Sequence, residues 1–458
     1  MKKNLNKILA CIVGIITLVV FIINIFVTKF LSMNQQLVLA LFSTGLIITL
    51  LARKKKVLFN IGLLITLSSL LMWNFLFNNF GIFNNNDFID FQSDSEAFTV
   101  NAVFAKEGNV YDDLKFGLCY YDLEDNYAYP YLSQFGLQGK IFSFGYSIAN
   151  SIIGLTAGAM IEIYHTLVAF ITALVLSLIT ILINKKTNIV MLICFYVTFL
   201  FSPWVINFAR NLYWVEFTWF VPMLIGLICS INTNNKKIRI VSYILAFISI
   251  LVKCLCGYEY LSTIMIASVS FLLVDFIKSI INKDKESTKL YFKTIFIMGL
   301  CEVLGFVVAI SLHSLLRGQG SILSGIAIIY KEDILRRTLG GNAANFDALL
   351  ADSLNASIWT VLGMYLRFNT NIISFIPKEA FIPMYVIALL IALYEIKNKK
   401  YDNILYYIIY FLAAISWIVL AKSHSYEHTH INFIVWYFGF IQICLYIIVN
   451  KIVTLIKK

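Results

Sequence analysis

The chain has 458 residues, of which 60% are hydrophobic and only 13% charged. A soluble domain of that size carries about a quarter charged residues, so one water-soluble core is excluded; apolar runs of roughly twenty residues instead match a hydrocarbon layer about 30 Å thick. The formal net charge of +11 is not a nucleic-acid footprint, because the basic residues sit in short clusters between apolar runs, where cytoplasmic loops of membrane proteins carry them.

The first apolar run, 8–30, follows Met1-Lys2-Lys3. It is too long for a signal peptide and lacks a small-residue cleavage site, so it reads as an uncleaved first span. Eleven further spans follow at 36–52, 57–78, 162–184, 188–205, 213–231, 239–253, 258–277, 294–312, 382–396, 404–421 and 431–449. The expected fold is an all-α polytopic membrane protein, one transmembrane domain over 1–458, with about twelve transmembrane helices. Its long first extracytoplasmic loop is expected to bear short helices.

Orientation follows from the basic clusters. Lys2, Lys3 and Lys7; Arg53 to Lys56; Lys185 and Lys186; Lys236, Lys237 and Arg239; Lys278 to Lys293; Lys397 to Lys400; and Lys451 to Lys458 all fall on one side of a twelve-span arrangement. That side is the cytoplasm by the positive-inside rule, with both termini inside. Residue usage rich in Lys, Asn and Ile and this topology predict a multi-pass protein of a bacterial plasma membrane. The eight cysteines are scattered through apolar segments. Cys254-x-Cys256 has no partner at zinc spacing, so buried thiols are expected.

Two extracytoplasmic segments are long. The first, 79–161, opens acidic and ends in the apolar stretch Ser147 to Met160, which reads as an interfacial or re-entrant helix. The second, 313–381, has amphipathic stretches near 322–337 and 354–368 suited to the membrane surface. The cytoplasmic connections are short and rich in Lys and Asn, leaving no room for a cytoplasmic catalytic domain.

Within the first segment, Phe91 to Tyr111 reads FQSDSEAFTVNAVFAKEGNVY. Asp94, Phe98 and Ala102 are spaced to share one stripe of a helix, with the acid at its N-terminal end, and Gly108-Asn109 is a stop. YPYLSQFGLQGKIFSF, Tyr129 to Phe144, then leads back to the bilayer.

This order resembles the first extracytoplasmic loop of the GT-C glycosyltransferases, the class of protein O-mannosyltransferases and aminoarabinose transferases. There, an Asp-Glu pair is followed by an aromatic, a small residue, then Gly and Tyr. Asp94, Phe98, Ala102 and Gly108 to Tyr111 fall on those positions, and Tyr129 to Gly139 takes the place of a Pro-rich stretch. Two features depart from the pattern. The Glu of the pair is Ser95 here, with Glu96 one position later, and the loop follows the third span where the family's usually follows the first. The resemblance covers about 55 residues. It implies transfer of a sugar from a polyprenyl-phosphate donor to a glycan or lipid acceptor on the outer face, with Asp94, or Glu96, as the carboxylate that orients and deprotonates the acceptor. It also leaves room for a divalent cation held by the same two acids, although nothing in the sequence requires a cofactor.

An anionic lipid needs cations, and the remaining outer turns supply candidates: Arg210; Lys253 followed by Tyr258 and Glu259; Arg317, with Arg336 and Arg337 further along; and His424, His428 and His430. Tyr, Trp, Arg and Lys also favour the headgroup layer as anchors. The histidine trio reads either as a hydrogen-bonded cluster or as a metal site. Glu302, mid-span, is the residue that argues for an ion-coupled transporter or flippase, although no internal repeat is visible. An O-antigen polymerase or ligase also fits, because such proteins carry Arg and His on a late outer loop.

Overall fold

The computed structural model describes residues 2–24, 31–78, 80, 95–338 and 341–457. Among them, nine helices are long and apolar enough to cross a membrane. They are α1 (Lys2–Ile23), α2 (Met33–Leu51), α3 (Lys56–Phe77), α6 (Ala157–Lys186), α9 (Lys236–Cys256), α10 (Leu261–Ile281), α11 (Lys285–Arg317), α15 (Phe381–Ile396) and α16 (Asp402–Leu420). Two shorter apolar helices, α7 (Ile189–Phe201) and α8 (Phe217–Ile231), join them. A tenth candidate is bent by 49° between Thr429–Phe438 and Phe440–Ile456, the latter α18. The chain is therefore an all-α polytopic membrane protein, and among the described residues every predicted apolar segment overlaps one of these helices.

Large apolar side chains on many of these helices face outward, among them Ile15, Ile244, Phe296 and Leu390. In water such exposure would drive aggregation; against acyl chains it is the ground state. Helices that cannot gain from a hydrophobic effect pack instead through small residues. A Cβ at Gly45 would meet the Thr66 nitrogen at 2.7 Å and one at Gly62 the Thr49 nitrogen at 2.6 Å, so α2 and α3 touch along their backbones. A Cβ on Gly226 would likewise overlap the Ser268 carbonyl, setting α8 against α10. At the end of the bundle away from the long segments, Lys186 pairs with Asp275 at 2.5 Å and Lys278 with Asp402 at 2.5 Å, tying α10 to α6 and α16.

The first long segment builds a small cap on the other end. The cap contains α4 (Ala97–Glu107), an antiparallel hairpin of β1 (Cys119–Asp122) and β2 (Tyr127–Pro130), and α5 (Leu137–Ile153). Gly108 ends α4 as expected, with Asn109 left-handed behind it (φ 60°). The hairpin was not foreseen. Its buried face, Cys119 and Ala128, packs on Ala102 and Ala105 of α4.

The apolar stretch expected at Ser147 to Met160 is not one helix. It is the second half of α5, a left-handed break at Gly154 (φ 67°), and the start of α6 under a Thr156 cap. Along α5, Ile141, Phe144, Ile148 and Ile152 form an exposed apolar stripe, while Gln138, Phe142, Ser143 and Tyr146 face inward. Such a two-faced helix suits the membrane surface.

The second long segment holds one helical run, α12 (Ile322–Ile329), a π-helical turn (Tyr330–Ile334) and Leu335–Arg337, followed by α13 (Ala348–Asn355) and α14 (Ile358–Tyr365). After α16, α17 (Lys422–Glu427) carries the first of the histidine trio.

Candidate functional site

Two polar centres sit at the capped end of the bundle, joined by the turn 210–216. Asn211 shapes that turn: its Oδ1 accepts from the backbone nitrogens of Tyr213 (2.8 Å) and Trp214 (3.0 Å), the local bonding through which Asn favours turns. Val215 follows at φ 39°, a costly conformation for a β-branched residue. The cap locks onto the turn through Gln138, whose Nε2 donates to the carbonyls of Tyr213 and Cys256 at 3.0 Å each.

The first centre surrounds Glu96. This carboxylate is buried, its Oε1 accepting from the Leu212 backbone nitrogen at 2.7 Å and bonding His165 Nε2 at 3.1 Å. Glu162 stands 3.8 Å from the other ring nitrogen. Burial pulls the Arg210 guanidinium below its ordinary value, and the charges of Glu96 and Glu162 work against that pull. Glu96 and His165 thus pair beside Arg210, and the bond from the Leu212 nitrogen to Glu96 pins the turn to the head of α4. Asp94 lies outside the described residues. Glu216, at the end of the turn, is fully buried, and neither carboxyl oxygen has a hydrogen-bond partner among the described residues.

The second centre is a cleft of about 330 Å³. Its wall is apolar and comes from membrane-crossing helices: Leu261 and Met265 of α10, Phe306 and Ile310 of α11, and Trp417 and Leu420 of α16. Its rim is polar, with Tyr258, Glu259, Asp333, Arg337 and His424. Glu259 accepts from Gln134 Nε2 at 3.0 Å, and the same amide donates to Tyr213 Oη at 2.6 Å. One amide therefore links the rim to the turn that carries Arg210.

Asp333 gathers three arginines, one of which lines the cleft. Arg317 approaches it at 3.6 Å, and Arg336 and Arg337 at 4.0 Å each. Arg317 also bonds Glu332 at 2.7 Å. It braces the π turn and does not line the cleft. Arg337, whose side chain is 22% exposed, does line it. His313 Nε2 lies 3.1 Å from the Leu132 carbonyl and Nδ1 3.2 Å from Tyr258 Oη. A carbonyl only accepts, so Nε2 carries the proton and the tyrosine hydroxyl donates to Nδ1, which fixes Tyr258 at the rim.

Of the residues singled out in the sequence, Tyr258, Glu259 and His424 meet at the cleft. Arg210 and Glu96 meet at the other centre. Lys253 is buried between them, donating to the Gly257 carbonyl at 2.5 Å; it closes the turn that presents Tyr258 and Glu259. The His428 ring lies tilted against that of His424, centres 4.6 Å apart, with His430 6.0 Å beyond. No set of three or more His, Cys, Asp or Glu side chains among the described residues is arranged to hold a metal ion. Arg337 stands in the sequence reading only as the companion of Arg336, and neither Asp333 nor Gln134 is singled out in it. Their signals were slight: an acid with arginines three and four residues on, and one amide amid aromatics.

Burial, reinforced by the charge of Arg337 and by His428, holds the His424 imidazole well below its usual 6.5. The unfolded chain takes up that proton at higher pH than the folded one. Stability from this group is therefore complete above pH 6.5 and declines as pH falls below it. Melting in detergent should show an acid-side loss that His424→Gln reduces; an unchanged acid limb in the variant would remove His424 as its source.

No protein family, curated protein or solved structure matches the chain.

Proposed function

We propose that the protein is a GT-C-like glycosyltransferase that moves a sugar from a polyprenyl-phosphate donor to a glycan or lipid acceptor at the extracytoplasmic face of a bacterial plasma membrane. In this reading α7, α8 and the bent final pair also cross the bilayer, giving twelve spans with both termini in the cytoplasm. The basic clusters at the end opposite the cap support that orientation.

One observation carries the reading: the division of the cleft into an apolar wall from membrane helices and a charged rim. A polyprenyl phosphate is divided the same way, into a hydrocarbon tail and an anionic head. The tail lies against Met265, Phe306 and Trp417, and the head meets Arg337, the cation lining the rim. In the transfer, an acceptor hydroxyl oxygen bonds the anomeric carbon while the bond from that carbon to the phosphate oxygen breaks. The phosphate leaves on its lipid with the electron pair, and the hydroxyl proton passes to a carboxylate, assigned to Asp94. Arg337 offsets the charge on the departing phosphate. Arg210, in the field of Glu96, and Glu259, which accepts from Gln134, position the two sides of the reaction.

A second reading, O-antigen polymerase or ligase, is favoured by one feature: Arg337 belongs to the late segment 313–381, where such enzymes carry their arginines. It shares the lipid-linked donor and differs in not needing Asp94. A transporter gains less support. Glu302 is buried, accepts from Ser268 Oγ at 2.5 Å, and has no basic partner among the described residues.

A photoreactive polyprenyl phosphate tests the shared premise. Labelling should fall within 258–265, 306–310, 329–338 and 417–424, and excess unlabelled polyprenyl phosphate should displace it. Labelling confined to lipid-facing helices elsewhere, or insensitive to competitor, sinks the donor assignment.

A further inference from the structure

The exposed face of the β1–β2 hairpin carries aromatic rings where a solvated strand ordinarily carries polar side chains. Alternation puts Tyr120, Asp122, Tyr127 and Tyr129 on the face opposite Cys119 and Ala128. Tyr120 and Tyr129 are directly paired across the ladder and stacked, with ring centres 4.6 Å apart and planes 14° apart. Tyr127 continues the row at 6.3 Å. Phe98 of α4 meets Tyr120 edge-on at 4.9 Å and stacks on Tyr131 at 4.2 Å. Cross-strand packing accounts for the pairing. It does not account for the exposure of Tyr127 at 62% and Tyr129 at 48%, and contiguous exposed aromatic patches mark binding surfaces.

The row has a direction. It runs from the hairpin tip through Tyr131 to Tyr213, ring centres 6.5 Å apart. Tyr213 then shares the Gln134 amide with Glu259 at the cleft rim. Flat ring faces with phenol hydroxyls, and a carboxylate at Asp122 on the same face, are what a saccharide requires. The C–H face of a pyranose packs on the rings, and its hydroxyls bond the polar edges.

We infer that this row is an acceptor track: a carbohydrate chain lies along Tyr127, Tyr129, Tyr120 and Tyr131, its end delivered to the rim where Glu259 and Arg337 stand. The track rests on the glycosyl-transfer reading for its occupant. It adds that the acceptor is a saccharide of several units and not a lone lipid hydroxyl, and that it is held by stacking at a distance from the bond being made. Tyr120, Tyr127 and Tyr129 are positioning residues.

The test uses the full-length protein in nanodiscs, with two probes. One is a set of fluorescently labelled oligosaccharides released from the envelope of cells that make the protein; the other is the photoreactive polyprenyl phosphate. The double variant Tyr127→Ala with Tyr129→Ala should weaken oligosaccharide binding about tenfold or more, whereas Tyr129→Phe, which keeps the ring face, should bind as wild type does. Lipid labelling should be unchanged in both variants, because neither tyrosine lines the cleft. Equal oligosaccharide binding by the double variant overturns the track. So does the absence of any binding oligosaccharide in protein that takes the lipid probe, or a loss in Tyr129→Phe as large as that with alanine. Failure of wild-type protein to take the lipid probe, with oligosaccharide binding that still depends on the tyrosines, defeats the donor reading and leaves the track standing.

Discussion

Arg337→Ala should reduce transfer from a lipid-linked donor by a factor of about 100 to 1,000. The guanidinium lies at the polar rim of a cleft with an apolar wall and is flanked by Glu259 and Asp333. Removing one member of a largely desolvated charge set typically costs about 2–5 kcal/mol, and each 1.36 kcal/mol is tenfold in rate. Lysine at 337 should recover only part of the activity, because an ammonium is a point charge while the planar fork can serve a carboxylate and a phosphate at once. The measurement is incorporation of labelled sugar into envelope glycan in cells lacking the chromosomal copy, with variant abundance checked by blotting. Arg336→Ala provides the internal control: it meets Asp333 at the same 4.0 Å but does not line the cleft, so its loss should be small. Wild-type transfer by Arg337→Ala would remove the cleft from the reaction.

The second large effect is expected at Asp94. If its carboxylate takes the acceptor proton, Asp94→Asn should lower turnover by about 10²–10⁴, the usual range for removing a positioned base. Photolabelling by the lipid donor should not change. Glu96→Gln should do less harm, because its amide oxygen can still accept from the Leu212 nitrogen while only the charge facing Arg210 is lost. Full turnover in Asp94→Asn combined with inactivity in Arg337→Ala would favour the polymerase or ligase reading over the glycosyltransferase.

Much of the scaffold could be read from the sequence because a bilayer imposes a coarse rule. Each apolar window sits on a helix, yet the windows were too short at polar ends: α6 runs over 157–186 and α11 over 285–317, since Lys and Ser continue a helix beyond the hydrocarbon. The misplaced interfacial helix has a different cause. Hydropathy runs smoothly through 147–160, and only the backbone chemistry of Gly154 and the cap at Thr156 divides it. Gln138 and Lys140 hid the first half of α5 from a hydropathy reading. The hairpin escaped because CYYD and YAYP are four residues each, below the length at which alternation is persuasive.

The cleft was least legible. Its parts come from residues near 133, 258–265, 306–310, 329–338 and 417–424, and no spacing rule joins segments so far apart. His424 and Glu259 were noticed for being chemically unusual at an outer turn. Arg337 looked like one of a pair, and nothing local says which of Arg336 and Arg337 faces inward. The turn before them decides it.

Between Tyr330 and Ile334 the chain adopts π geometry, which accommodates roughly one residue more per turn than a regular helix and so retards the helical phase by about 100°. The outward row of Leu323, Ile326 and Tyr330 and the arginine that follows belong to one helix read in two registers. An engineer who kept every residue but regularised this turn to obtain a straighter, stiffer rod would preserve every hydropathy plot and every charge count. The regularised rod would nevertheless swing its guanidinium about 100° round, onto the outward row.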